Sequence, residues 1–133
     1  MKNKKLVHVK DVMTDKYQLV DGLMMTDKAL ERMKETGADV LIVDKRNEHD
    51  EYGIVLLSDI AREVLAVSRA PERVNIYEIM SKPVVGVDPG MDIRYCAPLF
   101  NKLGFSYAPV IDQGKLLGIV GYADMLLKGL CHK

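Results

Sequence analysis

The 133-residue sequence contains no tryptophan and carries no net charge, because its 19 lysines and arginines are matched by 19 aspartates and glutamates. Its aromatic side chains are limited to six tyrosines and two phenylalanines. Proteins that bind nucleic acids use an excess of positive charge on one face, and those that bind single strands add stacking aromatic side chains. The sequence has neither feature in quantity, which argues against a general nucleic-acid binder.

Long apolar runs are also missing. The basic start, Met1–Lys5, is followed by an apolar run that stops after two residues, at His8. We therefore expect neither a signal peptide nor a membrane span, and we interpret residues 1–7 as an N-terminal tail. The two cysteines, Cys96 and Cys131, form no C-x-x-C pair and no disulfide framework, which favours a cytoplasmic location.

Catalytic and metal-binding patterns are not evident either. His8, His49 and His132 lack partners at helical spacing, whereas a metal site needs three or four converging ligands. The sequence shows no Ser-His-Asp arrangement, no glycine-rich phosphate loop and no pair of catalytic carboxylates. We therefore expect no metal site and no catalytic residues, and the chain is not predicted to be an enzyme.

What the sequence does contain is an internal repeat. Four landmarks occur twice, the first two pairs 67 positions apart and the last two pairs 65 positions apart. A repeat at constant spacing indicates two similar halves. The landmarks are Met13 and Met80, Gly37 and Gly104, Gly53-Ile54-Val55 and Gly118-Ile119-Val120, and Asp59 and Asp124.

Each copy predicts the same order of elements. Compact aliphatic runs predict strands, apolar residues at helical spacing predict helices, and Thr26 is expected to cap the first helix. The polar loop 44–51 between two strands is interpreted as solvated, and it is three residues longer than its counterpart. The predicted elements are strand 17–20, helix 27–36, hairpin strands 39–43 and 52–57, and a helix from 58 or 59 in the first copy, then strand 84–87, helix 91–103, hairpin strands 107–111 and 116–120, and helix 123–130 in the second.

These elements predict an α/β fold of two β-α-β-β-α copies. The first copy spans residues 8–69, a linker spans 70–75, and the second copy spans 76–130. The order Val12-Met13-Thr14, an amphipathic helix that ends in glycine, and then Gly-Ile-Val with an aspartate six residues after the glycine resembles the cystathionine-β-synthase (CBS) domain. That family occurs as tandem pairs, called Bateman modules, and the resemblance covers residues 9 to 129.

The resemblance implies regulation rather than catalysis. Tandem pairs of this family have pseudo-two-fold symmetry and bind adenosine nucleotides or adenosyl compounds in clefts between the two halves. AMP, ADP, ATP and S-adenosylmethionine are therefore expected as regulatory ligands, and none is expected as a required cofactor. Such modules pair through their helices, so the resemblance implies a homodimer that signals to a regulated protein, whose identity the sequence does not give.

The family pattern G-[IV]-[VI]-[TS]-x-x-D implies the ligand residues. The aspartate of the pattern takes the ribose hydroxyls, and Asp59 and Asp124 match it. The hydroxyl position is Leu56 in the first copy and Gly121 in the second. Because Gly121 leaves room and a bare amide, the cleft of the second copy is predicted to be the better site. Its expected residues are Asp124, Gly121, Ser81, Lys82, Pro83, Tyr107, Ala108 and Pro109.

The first copy supplies a second, weaker set, in which Thr14 and Asp59 are ligand residues and Asp15 repels phosphate. Arg62 is expected to reach a ligand phosphate or to form a surface ion pair with Glu63 or Glu72. A different interpretation needs no ligand, since aspartate is a favoured helix N-cap worth about 1 kcal/mol. Asp59 and Asp124 would then be helix caps in a structural or protein-interaction module with degenerate ligand sites.

Overall fold

The computed structural model describes residues 6–82 and 84–131. Residues 1–5, the candidate ligand residue Pro83, and His132 lie outside the described residues. The described chain contains helices, 3-10 turns and strands, and two of the helices continue as π-helical segments. They are α1 (Val9–Val12), β1 (Gln18–Val20), α2 (Thr26–Thr36), β2 (Val40–Val43), β3 (Gly53–Leu56), α3 (Leu57–Ile60, π-helical over Ala61–Leu65), 3-10 turns at Pro71–Arg73 and Ile76–Glu78, α4 (Ile93–Leu103), β4 (Tyr107–Asp112), β5 (Lys115–Gly121) and α5 (Tyr122–Asp124, π-helical over Met125–Leu130).

The chain folds into two compact units. The continuous unit is Lys16–Val84, and the discontinuous unit combines Met1–Asp15 with Val85–Lys133. The segment that opens the first copy therefore lies with the second copy's hairpin, and the segment that opens the second copy lies with the first copy's hairpin. We call residues 8–15 and 74–82 the leader segments. The sequence repeat and the compact unit are thus two different divisions of the chain.

The continuous unit is built on a three-stranded sheet in the order β1-β2-β3. Strand β1 is parallel to β2, with α2 as the crossover between them, and β2 is antiparallel to β3. All four residues of β2 are buried, because this strand has a neighbour on each side and packs on both faces. The apolar core comprises Val20, Ala29, Met33, Leu41, Val43, Val55, Ile60, Val64, Val74, Ile76 and Ile79.

The discontinuous unit contains a two-stranded antiparallel hairpin, β4-β5. The strand predicted at 84–87 is reduced to one parallel bridge, in which the Val87 N–H donates to Pro109 O at 2.9 Å and the Ile111 N–H donates to Val87 O at 3.0 Å. The next rung of a parallel ladder would need the N–H at position 109, and proline has none. The core comprises Val9, Val12, Val87, Ile93, Cys96, Phe100, Ala108, Val110, Val120 and Met125.

Helix α2 begins one residue earlier than predicted. Thr26 is its first residue rather than its N-cap, and both the N–H and the hydroxyl of Thr26 donate to Val74 O at 2.8 Å. The helix ends as predicted at Gly37, whose φ of 77° is the left-handed conformation that favours glycine. Among the described residues, no helix is both long and apolar enough to cross a membrane.

Helices α2 and α4 occupy equivalent positions in the repeat, and each has 11 residues. At the exposed position equivalent to Glu31 of α2, α4 has Pro98 in its interior. A proline inside a helix removes one backbone hydrogen bond and crowds the carbonyl of the preceding turn.

We predict that Pro98→Ala stabilises the protein. The substitution restores a helical N–H at an exposed position, so the free energy of unfolding should rise by about 1–3 kcal/mol. Urea denaturation followed by circular dichroism measures the change. Glu31→Ala, at the equivalent position of α2, is the control and should give no comparable gain. An unchanged or lower stability of the Pro98 variant would contradict the prediction.

Candidate functional site

The two repeated aspartates lie directly after the turn from a strand into a helix. Strand β3 ends at Leu56 and α3 begins at the next residue, while β5 ends at Gly121 and α5 follows. Asp59 and Asp124 are the third residues of these helices. Oδ2 of each carboxylate accepts a 2.8 Å hydrogen bond from the backbone N–H of the last strand residue, Leu56 or Gly121. This is the acidic half of a capping box, so both aspartates cap their helices from the third position and not as N-caps.

The other oxygen of each carboxylate faces a cation. Arg62 Nη2 lies 2.6 Å from Asp59 Oδ1, and Lys128 Nζ lies 3.3 Å from Asp124 Oδ1. The prediction that Arg62 pairs with Glu63 or Glu72 is therefore wrong in its partner. A carboxylate offers about four acceptor positions. One N–H and one cation use two of them, so each aspartate keeps capacity for two more donors, which is the number that a ribose cis-diol presents.

At the hydroxyl position of the family pattern, the two hairpins place the larger side chain of the cross-strand pair on different strands. Val40 is directly opposite Leu56, and Tyr107 is directly opposite Gly121, at the same register in the two hairpins. A side chain at position 121 would place its Cβ 2.6 Å from the Tyr107 ring. The expectation that Gly121 leaves room and a bare amide is therefore wrong. The Tyr107 ring occupies the space beside Gly121, and the Asp124 carboxylate accepts the hydrogen bond of the Gly121 N–H.

The leader segments pair with the Gly-Ile-Val strands. Thr14 and Ile119 exchange two backbone hydrogen bonds of 2.8 and 2.9 Å, and Ser81 and Ile54 exchange two of 3.0 Å. The sequence-based sets combined Ser81 and Lys82 with Asp124. In the structure, Ser81 and Lys82 lie in the same unit as Asp59, and Thr14 lies in the same unit as Asp124. The discontinuous unit holds Thr14, Asp15, Tyr107, Ala108, Pro109, Gly121 and Asp124, and the continuous unit holds Asp59, Arg62, Ser81 and Lys82.

The loop between β2 and β3 contains a charged cluster that sequence reasoning missed. Asp50 Oδ1 lies 2.6 Å from Lys82 Nζ, and Asp50 Oδ2 lies 3.0 Å from Arg46 Nε. The hydrogen bond from Lys82 and then those from Arg46 hold the pKa of Asp50 far below its usual range. The interpretation of this loop as merely solvated is therefore wrong for Asp50, whose side chain is only 7% exposed. No local pattern indicates the contact, because its partner lies 32 residues further along (82 − 50).

The two cysteines differ in burial. Cys96 occupies the position equivalent to Ala29 and is fully buried, which raises the pKa of its thiol, whereas Cys131 is exposed. Within residues 6–82 and 84–131, no group of three or more His, Cys, Asp or Glu side chains has a geometry that could hold a metal ion.

Comparison with known proteins identifies the family. The model of the CBS domain matches residues 9–66 and 76–129, so the chain belongs to the CBS domain family. The two matches make it a tandem CBS pair. CBS domains are generally regulatory or signalling modules.

Several proteins are similar to this chain in sequence or in structure. MK0525 of Methanopyrus kandleri is 33% identical over 106 residues, which are 76% of this chain and 53% of MK0525. The chain thus spans about half the length of this relative. The hexameric CBS-CP12 protein from bloom-forming cyanobacteria is 37% identical, with a TM-score of 0.89 over 92% of this chain and 68% of that one. The CBS domain pair of protein MJ0100, solved with 5′-methylthioadenosine and S-adenosyl-L-methionine, has a TM-score of 0.80 over 97% of this chain and 100% of that one, and its 21% identity supports the fold alone.

We predict that the two pattern glycines differ in their tolerance of alanine. A Cβ at Gly118 would lie 3.0 Å from the Thr14 carbonyl, which is backbone, whereas a Cβ at Gly53 would first meet the flexible Met80 Sδ at 2.7 Å. Gly118→Ala should lower the free energy of unfolding by about 1–3 kcal/mol, because the Thr14–Ile119 bridge must shift. Gly53→Ala should cost less, since Met80 can change rotamer. Urea denaturation of both variants tests this, and equal losses or the reverse order would refute it.

Proposed function

We propose that this CBS pair is a ligand-sensing regulatory module that binds an adenosine nucleotide or adenosyl compound, with Asp124 as the ribose-binding carboxylate. The observation that carries the proposal is the bonding of Asp124. Its carboxylate is held by the Gly121 N–H at 2.8 Å and by Lys128 at 3.3 Å, is 13% exposed, and keeps two acceptor positions. A carboxylate fixed in this way is preorganised for the two hydroxyls of a ribose.

The charges of the discontinuous unit favour an adenosyl compound without phosphate. Its leader segment ends in Asp15, where the other leader segment has Lys82. A carboxylate repels phosphate but attracts the sulfonium and ammonium groups of S-adenosylmethionine. The ligands named for the MJ0100 domain pair, methylthioadenosine and S-adenosylmethionine, belong to this phosphate-free class and support the assignment.

Ligand binding would regulate a partner through the helix that Asp124 caps. Because the same carboxylate fixes the turn from β5 into α5, a ribose bound at its two remaining acceptor positions gives the start of this helix an arrangement different from that of the free protein. A partner that binds the two arrangements with different affinity would read the change. We place this function in the cytoplasm, where a reducing environment suits the exposed free thiol of Cys131.

The second candidate is a structural or protein-interaction module with degenerate ligand sites. The packing of the Tyr107 ring over Gly121 favours it, since this ring fills the space of the hydroxyl residue in the family pattern. The capping bonds of Asp59 and Asp124 also give both residues a role that needs no ligand.

Calorimetry distinguishes the two candidates. The ligands titrated are S-adenosylmethionine, AMP and ATP. We expect S-adenosylmethionine to bind most tightly, and we expect Asp124→Asn to weaken that binding at least about tenfold, because one acceptor oxygen and the negative charge are lost. The amide oxygen of asparagine still accepts the Gly121 N–H, so folding should persist. Asp92→Asn is the matched control, because Asp92 also caps a helix of this unit, accepting the Arg94 N–H at 2.8 Å. Absence of binding heat with all three ligands would favour the interaction module.

The terminal helices of both copies support a homodimer. Leu65 and Leu130 occupy equivalent positions in the repeat and are 77% and 65% exposed, and Leu127 is 70% exposed. Apolar side chains clustered on exposed helices are typical of protein interfaces, and a second copy of the chain supplies a self-complementary apolar partner. The hexameric state named for the CBS-CP12 protein is consistent with such pairing.

We predict that Leu127→Lys with Leu130→Lys dissociates the dimer, because four charges would be buried at a two-fold interface. Light scattering coupled to size exclusion measures the mass. Tyr95→Lys is the control, since Tyr95 is 72% exposed on α4 and lies outside the proposed surface. A monomeric wild-type protein, or a dimer that survives the double substitution, would contradict this surface.

A further inference from the structure

Asp50, Arg46 and Lys82 form a charged cluster, in which the carboxylate of Asp50 is bound in the way that proteins bind a phosphate. Both oxygens of the carboxylate are in use, since Oδ1 meets Lys82 Nζ at 2.6 Å and Oδ2 accepts from the Arg46 backbone N–H at 2.8 Å and from Arg46 Nε at 3.0 Å. An anion is thus held by one ammonium, one guanidinium and one backbone amide. These are the groups with which proteins bind phosphates.

Lys82 lies beside the strand that leads to Asp59. Its neighbour Ser81 pairs with Ile54 of β3, so Lys82 follows the leader segment toward the start of that strand. Asp59 is fixed at the other end, where it caps the Leu56 N–H. At about 3.3 Å per residue, the two ends of β3 are roughly 10 Å apart. A nucleoside triphosphate can span this distance from its ribose to its outer phosphates, whereas adenosine cannot.

The discontinuous unit has no equivalent of Asp50 and no lysine at the position equivalent to Lys82. Its hairpin closes with the two-residue turn Gln113-Gly114, both residues at positive φ (52° and 80°), and therefore has no loop to carry an equivalent of Asp50. The residue equivalent to Lys82 is Asp15. Of the two units, the continuous unit alone therefore has both the lysine and the loop carboxylate that pairs with it.

We propose that Asp50 is a specificity-determining residue. Its carboxylate forms an ion pair with the ammonium of Lys82 and thereby prevents the outer phosphates of a nucleoside triphosphate from binding to Lys82 in the continuous unit. This inference rests on the proposed function and extends it, because it assumes that Asp59 binds ribose in the continuous unit as Asp124 does in the discontinuous unit. When Asp50 is neutral, Lys82 becomes available as a phosphate ligand, and the unit changes its preference from phosphate-free to phosphate-bearing adenosine compounds.

Calorimetric titration with adenosine and with ATP tests the inference. Asp50→Asn should tighten ATP binding about tenfold, the worth of one charge-assisted hydrogen bond, and should leave adenosine binding unchanged. Adding Lys82→Gln or Asp59→Asn to that variant should abolish the gain. Glu51→Gln is the matched control, because it removes the same charge from the same loop at a residue with no ion pair to Lys82.

The outcomes separate the two proposals. If adenosine binds but Asp50→Asn leaves the ratio of ATP to adenosine affinity unchanged, the role of Asp50 is refuted and the proposed function survives. If neither adenosine nor ATP binds any variant, the role of Asp50 is refuted, and the titration of the wild type with S-adenosylmethionine decides whether the proposed function survives. Lys82→Gln alone provides a test that does not depend on the folding of the Asp50 variant. It should leave ATP affinity as in the wild type, and a loss of ATP affinity would show that Lys82 already binds phosphate and would refute the inference.

Discussion

A single hydrogen bond, made once in each unit, fixes the region on which the proposed function depends. The last N–H of the strand would be without a partner at the start of the helix, and the carboxylate of Asp59 or Asp124 accepts it at 2.8 Å. The bond sets the direction of the following helix and holds the carboxylate in one orientation. It also leaves two acceptor positions on that carboxylate. The residue that organises the turn is therefore also the residue best prepared to bind a ligand.

The two units share this turn but differ in what surrounds it. Tyr107 lies opposite Gly121 in one unit, and Val40 lies opposite Leu56 in the other. The larger side chain of the pair is therefore on the first hairpin strand in the discontinuous unit and on the second in the continuous unit. The leader segments carry opposite charges at equivalent positions, Asp15 and Lys82. Two carboxylates with equal capping bonds thus lie in different electrostatic surroundings, and a difference in ligand class between the units follows from that.

Local patterns predicted most of the elements, because helices and hairpins are determined by nearby residues. The 67-residue spacing placed α2 and α4 at equivalent positions, and both end at a left-handed glycine. The exchange of leader segments was not predictable in this way. Thr14 pairs with Ile119, 105 positions away (119 − 14), and such a pairing leaves no local periodicity. The contact of Asp50 with Lys82 was missed for the same reason, and the role of Tyr107 required knowledge of the strand register.

The central claim is that Asp124 binds ribose while it continues to cap α5. A crystal structure of the protein with S-adenosylmethionine tests this most directly. We predict that both ribose hydroxyls lie within hydrogen-bond distance of the Asp124 carboxylate and that the Gly121 N–H still donates to it. A ligand bound elsewhere, with Asp124 bonded only to Gly121 and Lys128 as in the present structure, would contradict the account.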